Sequence, residues 1–375
     1  MSEIGKVLIV GGGIAGLVAA SMLRDRGVAV DLVEKKRDWQ EYGVGIIQQS
    51  NIMRAMQFAG LLDRYVSAGY AYEDNVFHDP EGVPVGRASG GRLAGPDFPA
   101  NIGVRRSKLH EVLKEAALEK GTQVRLGVTV DALNQQPGRV DVTFSGGAQG
   151  AYDLVIGADG ASSQVRALLY GDKYQPTFVG QCVWRHNFAR PDEVDALQIF
   201  SDTAGNAAGL VPLAHDLMYM YLVTKEPGNP KMPQAELAEL MRARMVHFKG
   251  RIGELRREIH DPAEVVYRPM EVVFVTDPWY QGRVVMIGDA VHTTTPHLAQ
   301  GAGMAIEDAV VLSDQISRGG PLETVLSGYQ ARRYERAKYI QDNSLRVCRA
   351  QMENDHSLNY PQVMAEMLHF TAQPI

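Results

Sequence analysis

Two glycine-rich segments contain residues whose spacing suits the binding of electron-rich groups. The first, Gly11-Gly12-Gly13-Ile14-Ala15-Gly16, has the spacing G-x-G-x-x-G and follows the short apolar run Val7–Val10. With this spacing Gly11 permits a tight turn, Gly13 lets a pyrophosphate approach the backbone, and Gly16 lets a helix pack closely on a strand. The helix that follows would present free amides and the positive end of its dipole to the phosphates. The segment therefore predicts a dinucleotide site.

The second segment lies almost a whole chain away, at residues 286–312, and reads MIGDAVHTTTPHLAQGAGMAIEDAVVL. An apolar strand at Val284–Ile287 would bring Gly288 and Asp289 to a strand end, and the turn Gln300–Gly303 would aim the amides of a helix into the same region. Helix N-termini favour negative charge. The two segments together predict one long ligand, with adenosine at the first and an electron-rich group at the second, and FAD has that length.

The elements around the first segment support this interpretation. The strand Val7–Val10, a helix from Ala15 to about Arg26 and the strand Val28–Glu34 form a βαβ unit. Glu34 closes the second strand at the position where a carboxylate accepts ribose hydroxyls, and an acid there disfavours a 2′-phosphate. This cleft therefore suits FAD or NAD(H) better than NADP(H).

The rest of the chain changes pattern about halfway. We predict helices over 105–120, 234–249 and 321–352, and strands over 123–126, 140–144, 153–156, 217–224 and 265–275. The charged residues of 332–349 indicate a solvated helix face. The strand-rich stretch between about 176 and 275 indicates a sheet domain inserted into a nucleotide-binding domain.

Composition argues against several classes of protein. The chain has 375 residues, a formal net charge of −6 and two cysteines, Cys182 and Cys348. The negative charge argues against nucleic acid or an anionic membrane as a partner. Two distant cysteines argue against a disulfide framework and a zinc site, so we expect no metal. With no leader pattern and no apolar run long enough to span a bilayer, we expect a cytoplasmic protein.

Three motifs taken together resemble a known family. GGGIAG with Glu34, DLVIGADGASSQVR at 153–166 and GRVVMIGDAVHTTTPHLAQGAGMAIEDA at 282–309 are similar, in order and spacing, to the fingerprints of the class A FAD-dependent aromatic hydroxylases, the salicylate and para-hydroxybenzoate hydroxylase-like enzymes. The resemblance covers essentially the whole chain. It implies an α/β fold in which a Rossmann-like FAD-binding domain carries an inserted, mostly antiparallel β-sheet substrate domain and C-terminal helices. The implied boundaries are 1–72, 97–175 and 278–320 for the FAD-binding domain, 73–96 and 176–277 for the sheet domain, and 321–375 for the helical segment.

The resemblance also implies the chemistry. It implies non-covalent FAD, NADH or NADPH as co-substrate, and O2 that forms a flavin C4a-hydroperoxide and hydroxylates a small aromatic or heteroaromatic, anionic or phenolic, substrate. In the family the GD aspartate, here Asp289, binds the FAD ribitol chain, an arginine matched by Arg106 helps to hold FAD, and the middle motif at 159–166 lies near the cofactor. The amides of Gln300–Gly303 would stabilise charge on the flavin. The predicted cofactor-binding residues are Gly11, Gly13, Ile14, Ala15, Gly16, Glu34, Lys35, Arg106, Asp159, Asp289, Gly301, Ala302, Gly303 and Met304.

Candidates on the substrate side come from the predicted sheet and from the second segment. WRHNF at 184–188 resembles the W-R-G segment that opens the family's substrate sheet, with His186 in place of the glycine. We expect protonatable groups near the flavin face, which favours an anionic substrate. Each candidate has a structural alternative: the histidines could hold turns, the tyrosines could pack in the sheet, and the arginine could form a structural ion pair. The predicted substrate-binding residues are Arg185, His215, Tyr219 and Tyr221, the predicted catalytic residues are His297, Pro296 and Arg185, and the protonatable groups also include His186.

Other functions stay open at this point. A flavin-dependent halogenase shares the fold, but its two tryptophans one residue apart are missing, because Trp39, Trp184 and Trp279 stand alone. An FAD oxidase or reductase without hydroxylation, and a non-catalytic flavin-binding regulatory protein, fit the same motifs. The substrate's identity and the choice between a monomer and a homodimer are open as well.

Overall fold

Helices and strands alternate along much of the chain, which makes the protein α/β. The structure is a computed structural model that describes residues 4–39, 44–355 and 357–375. The strands are β1 (Lys6–Val10), β2 (Ala29–Glu34), β3 (Gly45–Gln48), β4 (Gly69–Tyr72), β5 (Asn75–His78), β6 (Pro84–Ala88), β7 (Asn101–Arg105), β8 (Gln123–Leu126), β9 (Val130–Gln136), β10 (Arg139–Phe144), β11 (Gln149–Tyr152), β12 (Leu154–Gly157), β13 (Thr177–Ala189), β14 (Leu197–Ser201), β15 (Ala207–Pro212), β16 (Leu217–Lys225), β17 (Val266–Phe274), β18 (Tyr280–Gln281), β19 (Val284–Met286) and β20 (His292–Thr293). The helices are α1 (Ile14–Asp25), α2 (Ser50–Phe58), α3 (Leu62–Ser67), α4 (Arg106–Glu119), α5 (Gln164–Tyr170), α6 (Leu237–Arg244), α7 (Gly250–Leu255), α8 (Gly301–Arg318), α9 (Leu322–Glu353) and α10 (Tyr360–Ala372).

A six-stranded sheet, in the order β18-β19-β12-β1-β2-β8, carries both glycine-rich segments. Its strands are parallel except for β18 at the edge, and Ile9 of β1 lies opposite Ile156 of β12 and Leu32 of β2. Helix α1 packs against α4 and α8. The near-continuous apolar sequence of β1 follows from this cover, because a parallel strand of this kind is buried on both faces.

An eight-stranded sheet, in the order β20-β17-β13-β16-β15-β14-β5-β6, is antiparallel except for the β14–β5 pair. Side chains alternate between its two faces. Trp184, Met220 and Leu222 share an apolar cluster with residues of α6 and α7. Arg185 and Tyr221 lie directly opposite each other on β13 and β16 and project from the other face.

A small sheet, β3-β7-β4, lies against that other face. Two glycines make the close approach possible. A Cβ on Gly45 would lie 2.1 Å from the ring of Tyr219, and a Cβ on Gly103 would lie 2.0 Å from the carbonyl oxygen of Pro212. A fourth sheet, β11-β10-β9, is antiparallel.

Two helical predictions differ from the structure. The helix expected over 234–249 ends at Arg244, and α7 begins at Gly250, which has a left-handed φ of +54°. The chain turns between them so that Met245 and Phe248 both reach the apolar cluster under the eight-stranded sheet.

The prediction of a solvated face over 332–349 is wrong for one side of α9. Arg333, Arg336, Gln341 and Ser344 are all buried. The arginines are buried because α8, packed against α9, carries the carboxylates that neutralise them. The charged residues on the face of α9 that packs against α8 therefore form a buried polar interface.

The early strands β5 and β6 join the eight-stranded sheet through β14, although more than a hundred residues separate them along the chain. The division of the chain into domains at the boundaries given above stays a prediction. Among the described residues, no helix combines the length and the apolar character needed to cross a bilayer.

Candidate active site

A cavity of about 440 Å³ lies between the carboxyl ends of the parallel strands and one face of the eight-stranded sheet. Ile14 and Ala302, from the starts of α1 and α8, line one side, and Arg185 and Tyr221 line the other. Both glycine-rich segments therefore open into the same cavity. The predicted site residues that line it are Gly13, Ile14, Ala15, Arg106, Arg185, Tyr219, Tyr221, Asp289, Pro296, His297, Gly301 and Ala302.

The glycines of the first segment do different things. Gly11 has a φ of +109°, and a Cβ there would lie 2.3 Å from the carbonyl oxygen of Ala158. A Cβ on Gly16 would lie 2.0 Å from the oxygen of Gly11, so α1 starts in direct contact with the turn. A Cβ on Gly13 would have no atom within 4 Å, because this residue faces the cavity. No side chain caps the first turn of α1, so its amides and the open space beside them fit a phosphate group.

Glu34 holds the neighbouring turn. Its Oε2 accepts a hydrogen bond from the amide of Gly12 over 2.8 Å, and its Oε1 accepts one from the amide of Lys36 over 2.9 Å. The ring of Trp39 lies beside Gly12, where an added Cβ would be 2.7 Å from it. The side chain of Lys35 is exposed. Glu34 and Lys35 both lie outside the lining of the cavity.

Asp289 projects into the cavity from the end of β19. The surrounding walls desolvate its carboxylate and raise its pKa, while His292 and Arg106 oppose this effect. Gly288 before it has a φ of +63°, and a Cβ there would lie 3.2 Å from the Cβ atoms of both Ala15 and Ala305. These small residues let α1, α8 and the turn at Asp289 approach one another, which brings two helix N-termini to one side of the cavity.

A buried polar network supports this side of the cavity. The carboxylate of Asp308 accepts hydrogen bonds from the amide of Gly288 and from Nε of Arg333, and it contacts Nε2 of His292 at 2.6 Å. Glu307 accepts hydrogen bonds from Arg333 and Arg336 and from the amide group of Asn51. Burial alone would raise the pKa of Asp308, but its contacts with His292 and Arg333 lower it to about 2. The network keeps α8, α9 and the turn at Gly288 in register.

The side chains of the middle motif, at 153–166, form contacts within the protein. Asp159 accepts hydrogen bonds from the hydroxyl of Ser163 over 2.5 Å and from the amide of Val165 over 3.0 Å. The buried guanidinium of Arg166 donates to the carbonyl oxygens of Tyr174, Ala290 and Ala161. Because Ala290 follows Asp289, this arginine ties the middle motif to the turn that carries the cavity carboxylate.

Arg185 is a cation on the sheet side of the cavity, which Arg268 of β17 also lines. Within the part of the chain that the structure describes, its guanidinium forms no hydrogen bond or ion pair. Burial lowers the pKa of Arg185, Tyr219 opposes this, and the positive charges of Arg106 and Arg268 lower it further. Burial also raises the pKa of Tyr219 to about 12, with Arg185 acting in the opposite direction. This wall of the cavity therefore carries a positive charge without a partner carboxylate.

His297 lines the cavity but both of its ring nitrogens are engaged. Nδ1 lies 2.9 Å from the hydroxyl of Thr295, and Nε2 lies 3.0 Å from Oε1 of Gln351. An amide oxygen accepts only, so Nε2 carries the proton and Nδ1 accepts from the threonine. Burial lowers the pKa of His297 to about 4, with the Gln351 contact opposing the change. The ring is therefore neutral at pH 7 and anchored to protein groups.

Several predicted residues lie away from the cavity lining. His215 is exposed in the turn before β16, and His186 projects to the opposite face of the sheet, 3.3 Å from Glu264. The alternation along β13 explains the error for His186, because adjacent residues of a strand point to opposite faces. Gly303 and Met304 pack into the interior, against Ile52 and Arg333 respectively, and the remaining residues outside the lining are Gly11, Gly16, Glu34, Lys35 and Asp159.

The lining residues that sequence reasoning missed include Arg268, Gln351 and Tyr360. Arg268 comes from β17, whose register against β13 was not predictable from the pattern alone. Gln351 and Tyr360 come from α9 and α10, near the end of the chain. A pair of arginines at helical spacing, Arg333 and Arg336, could have indicated that α9 faces inward toward the acidic pair of α8.

Known proteins resemble this chain over nearly its whole length. Residues 5–344 match the family described as FAD binding domain. The aurachin C monooxygenase/isomerase of Stigmatella aurantiaca is 30% identical over 357 residues, which cover 91% of this chain and 88% of that protein. The 2-heptyl-3-hydroxy-4(1H)-quinolone synthase of Pseudomonas aeruginosa is 28% identical over 355 residues, covering 90% and 87% respectively. The crystal structure of Klebsiella pneumoniae HpxO complexed with FAD and uric acid shares the fold, with a TM-score of 0.87, 23% identity and coverage of 98% and 97%.

Proposed function

The chain belongs to the family of FAD-dependent aromatic hydroxylases that share this FAD-binding domain, and from this we propose the class of substrate on which it acts. The protein is an NAD(P)H- and FAD-dependent monooxygenase that uses O2 to hydroxylate an aromatic substrate. Bound FAD supplies the oxygen-transfer chemistry, and the protein supplies binding, orientation and electrostatics. The substrate that this cavity favours is a small aromatic or heteroaromatic compound with a negative or readily deprotonated group.

Residues at the two helix starts are the proposed FAD ligands. The uncapped amides at the start of α1, beside Gly13, would bind the pyrophosphate, and Asp289 would bind the ribitol chain. The amides at Gly301 and Ala302 would face the electron-rich end of the cofactor. The open space at Gly13 supports this assignment, since a side chain there would occupy the place of a phosphate.

The observation that carries the substrate proposal is the unpaired guanidinium of Arg185. A cation that is half-buried and lacks a carboxylate partner is costly to desolvate, and a bound anion would remove that cost. A carboxylate or phenolate bound there would gain charge-assisted hydrogen bonds, each contributing about 1.5–3 kcal/mol. The positive charge would also favour the ionised form of a phenol or an acidic heterocycle, and ionisation makes the ring more electron-rich.

The tyrosines beside Arg185 give the site flat walls. A Cβ on Gly209 would lie 2.2 Å from the ring of Tyr221, so this ring lies across the neighbouring strand and is fixed there. The rings of Tyr219 and Tyr221 have centroids 6.3 Å apart and planes inclined at 48°. Aromatic rings prefer offset or tilted contacts of this kind, which suits a planar substrate against them.

The relatives are consistent with this substrate class. The name of the relative from Pseudomonas aeruginosa describes a heteroaromatic ring that bears a hydroxyl group, and the HpxO structure contains uric acid, another heteroaromatic compound. We propose that the chain divides as the resemblance implies, with a discontinuous FAD-binding domain around the six-stranded sheet and the eight-stranded sheet supplying Arg185 and the tyrosines.

The test is a turnover assay on the FAD-loaded protein. NADH or NADPH consumption is measured with and without aromatic acids, phenols and acidic N-heterocycles, and each product is analysed by mass spectrometry. We expect anionic members of the panel to stimulate consumption and to gain one oxygen atom. Stimulation confined to cationic or uncharged compounds would contradict the proposed substrate class. Consumption at one rate with every compound, without any hydroxylated product, would instead indicate an oxidase.

A further inference from the structure

A second cavity, of about 450 Å³, adjoins the one described above. Four residues line both cavities: Ile199 of β14, Ala207 of β15, Gln351 of α9 and Tyr360 of α10. These side chains form the wall between the first cavity, which carries Arg185, and the second cavity. The wall is thin at β15, because Ala207 contributes a single methyl group.

Two residues of this wall, Gln351 and Tyr360, form hydrogen bonds with His297, which borders the flavin side of the first cavity. Oε1 of Gln351 accepts hydrogen bonds from Nε2 of His297 and from Nε2 of Gln181, over 3.0 Å and 3.2 Å. The hydroxyl of Tyr360 donates to the carbonyl oxygen of His297. The second cavity therefore adjoins the part of the first cavity where the reacting ring would lie.

Apolar and aromatic side chains provide most of the surface of the second cavity, and polar side chains such as Ser201, Thr203 and Asn206 lie among them. Phe77, Phe200, Val347 and Leu358 line it, together with Tyr360 from the wall. The ring of Phe200 is stacked on that of His78 with centroids 4.3 Å apart, and the ring of Phe77 meets Tyr360 edge-on at 5.4 Å. Fixed aromatic side chains give a surface that gains free energy when it is covered by an apolar group.

The carboxylates around the second cavity already have partners. Asp202 accepts hydrogen bonds from the amides of Ala204 and Asn206, and Asp79 accepts hydrogen bonds from the amides of Glu81 and Val83. The third, Asp355, accepts hydrogen bonds from the amide and the hydroxyl of Ser357. Asp79 and Asp202 cap turns at the ends of strands, and the negative charge of all three acids disfavours an anion. Three arginines and two carboxylates line the first cavity, and among the described residues the guanidinium of Arg185 has no partner. A charged group therefore belongs in the first cavity and an apolar group in the second.

We propose that the second cavity binds an apolar substituent of the substrate, an alkyl chain attached to the ring that occupies the first cavity. The inference rests on the proposed function for the position of the ring. Part of the first cavity faces the proposed FAD ligands Gly13 and Asp289, so the space left for substrate there would suit a small ring system. A chain that passes Ala207 and Gln351 reaches a further volume of the size usual for ligand sites.

The test measures affinity against chain length in two probe series. Calorimetric titrations of the FAD-loaded protein use 4-alkylbenzoates and 2-alkyl-4(1H)-quinolones that carry methyl, butyl or heptyl groups. Each buried methylene should tighten binding about fourfold, so affinity should rise steeply with chain length in at least one series. Ala350 of α9 lines the second cavity and does not line the first. Ala350→Phe should therefore abolish the rise in affinity with chain length, while the methyl compound binds as before.

Matched variants make each outcome decisive. Ala331 lies exposed on the same helix, and Ala331→Phe should keep the steep rise. Ala350→Leu is the milder filling variant if Ala350→Phe loses its FAD or its melting transition. An equal affinity for all chain lengths in both series, or a steep rise that persists in a folded Ala350 variant, overturns the inference. Arg185→Met should weaken all chain lengths by the same factor. If Arg185→Met leaves every affinity unchanged while affinity still rises with chain length, the proposed anion site at Arg185 is wrong and the proposed role of the second cavity is retained.

Discussion

Arg333 and Asp308 form an ion pair from which solvent is excluded: Nε lies 2.7 Å from Oδ1, and both side chains are 0% exposed. The other carboxylate oxygen of Asp308 accepts a hydrogen bond from the amide of Gly288, the residue before Asp289. The ion pair therefore fixes the turn from which a proposed FAD ligand projects. A buried charge that loses its partner is strongly destabilising, because the remaining charge stays desolvated.

Replacing Arg333 tests the contribution of this pair. Arg333→Met leaves the buried carboxylates of Asp308 and Glu307 short of a cation, and we expect a loss of about 3–5 kcal/mol in the free energy of unfolding, measured by urea titration. The control is Arg332→Met on the same helix, where the side chain is a quarter exposed and pairs with Asp314. We expect that change to cost less than about 1 kcal/mol. Equal losses in the two variants would show that burial of the pair is unimportant.

Two glycines of the first segment should respond differently to valine. A side chain at Gly13 meets no protein atom near its Cβ, so Gly13→Val should keep the melting temperature of the FAD-free protein and weaken FAD binding roughly tenfold or more. A side chain at Gly16 would strike the oxygen of Gly11, so Gly16→Val should lower the melting temperature itself. FAD titration followed by fluorescence, with thermal unfolding of the FAD-free protein, separates the two effects. Normal FAD affinity in Gly13→Val would remove this residue from the phosphate site.

Arg185→Ala tests the anion site. Loss of a charge-assisted contact should raise the KM of an acidic substrate roughly tenfold to a hundredfold, since each 1.4 kcal/mol is a factor of ten. Flavin content and melting temperature should stay at the wild-type values, because the guanidinium has no partner among the described residues. Arg139→Ala, at an exposed position of β10, is the control. A variant that loses FAD and stability together would identify Arg185 as a structural residue.

The buried ring of His297 predicts how stability depends on pH. In the folded protein its pKa is about 4, whereas the ordinary value is 6.5. The unfolded chain therefore binds a proton as the pH falls below 6.5, and the folded protein does not until about pH 4. The stabilisation is complete above pH 6.5 and is lost progressively toward pH 4, by up to about 3 kcal/mol.

Unfolding titrations between pH 4.5 and 7.5 measure this loss. His297→Gln should reduce the slope of stability against pH, and His247→Gln, at an exposed position, should leave it unchanged. An unaltered slope in His297→Gln would show that another group titrates in this range.

The elements that could be predicted from sequence are those whose signals are local. The strand β1, the helix α1 and the glycines between them follow from apolar periodicity and from spacing over about thirty residues. Arg185 came from the resemblance of WRHNF to the family's W-R-G segment, and the alternation of side chains puts Tyr219 and Tyr221 on one face of their strand. His186 was misplaced because one position along a strand changes the face.

The features that could not be predicted depend on pairing between distant segments. Arg268 lines the cavity because β17 pairs with β13 in a register that the sequence pattern does not specify. Arg333 has the sequence environment of an exposed helix, and its burial depends on the acidic pair of α8. The contacts of His297 could not be anticipated either, because its partner Gln351 lies on α9, 54 residues further along the chain.

The order in which the chain is synthesised has a consequence for how the protein matures. β1 emerges first from the ribosome, but its neighbour β12 and then β19 complete the parallel sheet only after residues 154–157 and 284–286 have been made. Gln351 and Tyr360, which close one wall of the cavity, are made later still. Non-local pairing of this kind is slow, and the incomplete sheet exposes strand edges until its later strands have been made. Capture of flavin by the newly made chain should therefore lag behind the synthesis of β1 and α1, and a pulse of labelled synthesis followed by measurement of bound flavin would record the delay.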